Sequence, residues 1–166
     1  MEKIIMGMDV YGIQPKQNKP IPEIVKRLDG EDWLEDFSKL SKEEQSEYFQ
    51  QRQKWENENV GSYFRNNVWH WRPLWDYVYS LCEDFISEER YNGGHSNDAE
   101  LFKEHEAKEI AKRLRKSIKD GDAEAHMHLH NAEQNSNGES WAYPFDIENV
   151  KAFADFCDES GGFEIC

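Results

Sequence analysis

The sequence predicts an α+β domain, mainly helical, with a small sheet formed by strands at the two chain ends. Ile4, Met6, Met8 and Val10 alternate at period two before Gly12, and Phe163-Glu164-Ile165-Cys166 closes the chain with a second strand. Between them, apolar residues recur at helical spacing in several long runs. A length of 166 residues suits one domain, 1–166.

The elements follow in order. The opening strand places Asp9 on its less apolar side, beside Gly7. From residue 29 to 59 the chain carries ten acids against four bases, and Ser41 with Glu44 three positions on reads as a capping box for a helix to about Asn57. Its apolar stripe is thin, so residues 29–59 are read as an acidic helical insertion or arm. Pro73 predicts an extended stretch followed by a helix that starts near it. That helix carries Leu74, Tyr77, Val78, Leu81 and Phe85 on one stripe with Trp75, Cys82 and Ile86 beside it, and is the central core helix. Residues 91–98, with Gly93-Gly94, read as a turn, and the next helix is expected from Ala99 to Lys119, closed by Gly121. A short helix to about Glu133 and a loop over 135–138 precede a helix capped by Asp146 and stopped at Gly161-Gly162.

Leu, Ile, Val and Phe make up only about a fifth of the chain, but six Trp and seven Tyr enlarge the core that it can bury. The formal charge of −14 opposes direct binding to nucleic acid or to an anionic membrane. No run approaches the ~20 apolar residues of a membrane span, and the expected location is the cytoplasm. Cys82, Cys157 and Cys166 are odd in number and widely spaced, as reduced thiols are.

Three polar groups fall at element ends, where a ligand site is built: Asp9; Arg65, Asn66 and Asn67; and Asn92, His95, Asn97 and Asp98. Trp69 and Trp71 offer stacking surface to a base or ring. The competing reading is that Arg65 pairs with Asp9 or Asp98, the asparagines satisfy turn backbone and the tryptophans are core. In a helix His126 and His130 share a face while His128 does not; in a strand all three share one. A two-histidine face needs a third ligand, which Glu133, Glu124 or a distant acid would donate only by accident of folding, so exposed histidines are preferred to a metal site, and no cofactor is implied. No phosphate loop, nucleophile elbow or Cys-x-x-Cys is present, and His95 with Asp98 or Asp9 is the one acid–base grouping. The sequence leans away from catalysis.

The carboxylates Asp29, Glu31, Asp32, Glu35, Asp36, Glu43, Glu44 and Glu47, with Asp155 to Glu159, form a candidate surface for a partner's basic groove. Such a surface needs no catalytic residue.

Three stretches, Met6 to Gly12, Tyr63 to Trp75 and Tyr143-Pro144-Phe145 through Gly161 to Cys166, together resemble a family of small bacteriophage and mobile-element proteins. Some relatives hold a four-cysteine segment before the Tyr-Pro-Phe stretch. Here residues 135–140 contain no cysteine, and the acidic block is longer than the family's. The resemblance implies origin and carries over no catalytic residue. The leading expectation is a phage-type accessory protein that binds a host protein or nucleoprotein complex with a basic surface, such as a CRISPR effector. The alternative is a small-ligand binder or hydrolase, for a nucleotide, built on the polar groups above.

Overall fold

The computed structural model describes residues 7–96, 98–136 and 143–166. The first strand β1, Gly7–Gly12, pairs antiparallel on one side with β2, Tyr63–Asn67, and on the other with β4, Gly162–Ile165. A further strand β3, Glu100–Lys103, extends β4, giving the order β2-β1-β4-β3. The chain ends therefore do form the sheet, and two internal strands flank them. Ile4, Ile5 and Met6 lie outside the described residues.

Period two sorts the strands into two faces. Met8, Val10, Phe102, Phe163 and Ile165 are buried against the helices. Asp9, Tyr11, Arg65, Leu101 and Glu164 fall on the opposite face, where the Tyr11 and Tyr63 rings pack at a tilt with centroids 5.2 Å apart. The helical layer is α4, Val68–Cys82, with α6, Glu104–Asp120, and α8, Ile147–Glu159. Its core is a chain of rings. Trp71 and Trp75, one helical turn apart on α4, stack with centroids 5.4 Å apart, Trp75 meets Phe102 edge-on, and Phe102 stacks on Phe163 at 4.8 Å. Aromatic area thus compensates for the shortage of aliphatic residues.

Several local expectations hold. Ser41 and Glu44 form the capping box of α3, Lys42–Glu58, with Glu44 Oε2 accepting the Ser41 N–H at 2.9 Å. Asp146 caps α8, and Gly121 ends α6 with φ 84°. Cys82 and Cys157 are buried free thiols, and burial pushes the Cys82 thiol up to about 12.

Three expectations are corrected. Helix α4 begins five residues before Pro73, because Asn67 Oδ1 accepts the His70 N–H and nucleates the helix at Val68. Pro73 then sits inside the helix, where it forgoes one backbone bond while its ring is buried. Residues 91–96 are not a turn but the body of α5, Glu88–Ser96. Its glycines make room for neighbouring side chains: a Cβ on Gly94 would collide with the Trp75 indole of the core, and one on Gly93 with the Glu100 side chain. Finally, Glu100 to Lys103 is strand β3 and the next helix starts at Glu104, since Phe102 is drawn onto Phe163 by pairing with β4. The short helix after Gly121, α7, runs over Asp122–Ser136, past its expected end.

Residues 13–62 leave the sheet and carry α1, Glu23–Arg27, α2, Trp33–Ser38, and α3. This arm has its own small core of Val25, Leu28 and Tyr48, packed by Ile21, Ile24, Phe37 and Leu40. Its two legs are clamped by Asn59, a fully buried residue whose Oδ1 accepts the N–H groups of Asn18 and Lys19 at 2.8 and 3.0 Å.

Candidate functional site

Strand pairing places Asp9 opposite Arg65, Nε to Oδ1 3.6 Å, and the Tyr63 hydroxyl donates to the same carboxylate. Burial, then Asp9, raises the Tyr63 hydroxyl above its ordinary range. Asn66 exchanges side-chain hydrogen bonds with Asn149 of α8 at 3.0 and 2.6 Å, and Asn67 is the cap of α4. Trp69 is half exposed and packs against Tyr143, whereas Trp71 is core.

The second group gathers elsewhere. His95 Nε2 lies 3.0 Å from Asp76 Oδ1, and the Tyr91 hydroxyl donates to the same oxygen at 2.6 Å. His95 therefore meets a carboxylate of α4, not Asp98 or Asp9. Burial opposes the charge on Asp76, but the bonds from His95 and Tyr91 outweigh it and hold the carboxyl below its ordinary range. His95 Nδ1 is buried without a partner. Asn92 and Asp98 are exposed, and Asn97 lies outside the described residues. Among the described residues no hydrogen bond or ion pair joins the Asp9–Arg65 group to the Asp76–His95 group. They are two local networks.

The histidine run is helical, so His126 and His130 share a face with rings 5.8 Å apart, and His128 points to Glu124 instead. Both are spoken for: His126 packs at 4.6 Å on each of Tyr77 and Phe145, and His130 Nε2 lies 2.7 Å from the Tyr143 carbonyl. Among the described residues no group of three potential metal ligands forms. Burial holds the His126 imidazole below its ordinary value of 6.5, so the unfolded chain takes up a proton that the folded one refuses. Its contribution to stability is present above 6.5 and is lost as pH falls below that value. Melting temperatures from pH 7 to 5 should fall less steeply for His126→Gln than for the wild type, and identical slopes would refute this.

Charge is distributed unevenly. Every carboxylate of α6 and α8 has a cation: Glu104 with Lys108, Glu106 with Arg90, Glu109 with Arg113, Asp120 with Lys116, Glu148 with Lys151, Asp155 and Asp158 with Arg115, and Glu159 with Lys16. The stretch Asp155 to Glu159, expected to join the acidic surface, is largely offset by those partners, with Arg115 shared between Asp155 and Asp158. On the arm, Glu35 and Asp36, which share Lys39, and Glu56, held by Arg52, are the carboxylates paired among the described residues. Glu44 is engaged in the cap, and Asp29, Glu31, Asp32, Glu43 and Glu47 have no ion-pair partner among the described residues. Beside them stand exposed apolar groups: Leu34 is 65% exposed, Phe49 57% and Trp33 39%. Phe37 links these last two, its ring 5.3 Å from Phe49 and 6.0 Å from Trp33.

Where the arm meets the open face of the sheet there is a cleft of about 620 Å³. Five aromatic side chains, Tyr11, Trp33, Tyr48, Trp55 and Tyr63, wall it. None of these was singled out as a site residue from sequence, because they come from four separate segments that only the fold brings together.

Among the described residues no helix is long and apolar enough to cross a membrane. The chain matches no protein-family model, no curated protein and no solved structure.

Proposed function

We propose that this protein is a phage-type accessory protein that acts by binding, using the acidic arm to occupy a basic groove on a host macromolecule. The observation that carries this reading is the uneven matching of charge: every carboxylate of α6 and α8 has a cation beside it, whereas Asp29, Glu31, Asp32, Glu43 and Glu47 of the arm have no ion-pair partner among the described residues and stand near exposed Trp33 and Phe49. Unmatched charges steer a partner of opposite sign, and aromatic residues at the centre of such a patch supply the short-range energy. A groove that ordinarily holds nucleic acid has the matching chemistry, and on this reading the arm inhibits a nucleic-acid-targeting defence complex by keeping nucleic acid out of that groove. The small-ligand reading draws less support, since Asp9, Arg65, Asn66, Asn67 and His95 are each engaged by protein partners.

The test is capture from host lysate at low and at moderate salt, followed by elution with duplex DNA. A stoichiometric partner retained at low salt and displaced by the duplex is expected. A partner that the duplex leaves in place, or a nucleotide that co-purifies with no protein retained, would overturn the proposal.

A further inference from the structure

The cleft beneath the arm has a specific electrostatic character. Its one cation among the described residues, Arg52, is already engaged: Nε donates to Glu56 at 2.8 Å and a terminal nitrogen donates to the Tyr48 hydroxyl at 3.0 Å. Asp29 on the same wall has no ion-pair partner among the described residues. The wall also holds Ser62 Oγ, which is buried and makes no hydrogen bond. Trp55 is fixed in place by its indole N–H, which donates to the Lys19 carbonyl at 3.0 Å, and Tyr63 by its bond to Asp9. The aromatic faces are therefore positioned in advance, around a space with unspent negative charge and an unused acceptor.

These features select a cation with a flat apolar surface. A phosphate or carboxylate is opposed by Asp29 and by the excess of acids on the arm. An ammonium gains from the carboxylate but loses a strongly held hydration shell, whereas a guanidinium is weakly hydrated, stacks on Trp and Tyr rings and donates in several directions. We propose that the cleft seats an arginine side chain of the partner. The inference deepens the reading above, on which it rests: the unmatched carboxylates attract a basic surface, and the cleft takes one arginine from it.

The full chain, labelled with 5-fluorotryptophan and followed by ¹⁹F NMR, tests this against a tetra-arginine amide, with tetra-lysine and tetra-citrulline amides as comparators. Trp33→Phe and Trp55→Phe assign the two cleft signals. The arginine peptide should shift both signals saturably, bind about tenfold more tightly than the lysine peptide, and outcompete the neutral citrulline peptide, which should produce no shift. Asp29→Asn should weaken the arginine peptide about tenfold, while Glu88→Gln with Glu89→Gln, exposed on α5 outside both the arm and the cleft, should change it less than twofold. Equal affinity for arginine and lysine peptides, or shifts spread over all six tryptophans and equally sensitive to Glu88→Gln with Glu89→Gln, would show a diffuse field in place of a seat. A salt-sensitive, duplex-displaced partner together with no arginine-peptide effect at Trp33 and Trp55 overturns this inference and leaves the function standing. Arginine binding in the cleft with no such partner supports the inference and overturns the function.

Discussion

Replacing Trp75 by alanine is expected to remove about 3–5 kcal/mol of stability, a large part of the roughly 5–15 kcal/mol that a domain of this size has. The side chain is fully buried, and three separate contacts depend on it: the stack on Trp71, the edge contact with Phe102 that joins helix to sheet, and an indole N–H donated to the Tyr91 carbonyl at 3.0 Å. Alanine leaves a cavity between the two layers. The urea midpoint should drop sharply for Trp75→Ala and by an intermediate amount for Trp75→Phe, which refills most of the volume without the donor. A midpoint within experimental error of the wild type would show that the ring is not central to the core. Gly94→Ala probes the same contact from the other side, since its Cβ would lie 2.4 Å from Trp75 Nε1, and overpacking costs about 1–3 kcal/mol. In the double variant most of that penalty should vanish, because the ring it collides with is gone. Simple additivity would instead place the cost of Gly94→Ala elsewhere.

This contact also shows where sequence reading stops. Ser41 with Glu44, Asp146 before α8 and Gly121 after α6 were legible because each signal and its consequence lie within one helical turn. Gly93-Gly94 carries turn composition, and only the packing of an indole 19 residues away makes a bare helix face the better use of it. Pro73 follows a sound local rule that a stronger local cap, Asn67, and the burial of Trp71 override. Strand β3 is four residues long, too short for periodicity to separate strand from helix, and its identity is set by β4 at the far end of the chain. The candidate sites divide in the same way. The pairing of Arg65 with Asp9 is one that the sequence offers, whereas the partnership of His95 with Asp76 is not, because it joins residues 19 apart on two helices whose packing no local pattern specifies. Net acidity was visible in composition, but which acids are matched depends on the approach of α6 to α8 and of Lys16 to Glu159.

That distinction leads to an expected result in which one set of substitutions moves stability and binding in opposite directions. Glu47 lies one turn after Glu43 on α3, a like-charge spacing that costs a helix a few tenths of a kcal/mol, while Glu31 and Asp32 add two acids just before Glu35 and Asp36 of α2. Glu47→Lys turns the first repulsion into an attraction in the favoured order, acid before base. The triple variant Glu31→Lys, Asp32→Lys and Glu47→Lys raises the formal charge from −14 to about −8, since each reversal adds two charges, and relieves self-repulsion across the arm. Its melting temperature should equal or exceed that of the wild type, because none of the three side chains belongs to either core. Association with a basic partner should slow by on the order of 10- to 1000-fold at low salt, and its dependence on ionic strength should flatten. A residue kept for structure gives the reverse pattern, lower stability with binding lost only through unfolding. Stopped-flow association over a salt series, with calorimetry on the same samples, separates the two. Unchanged association at a raised melting temperature would show that these carboxylates serve solubility, and the proposed surface would be excluded.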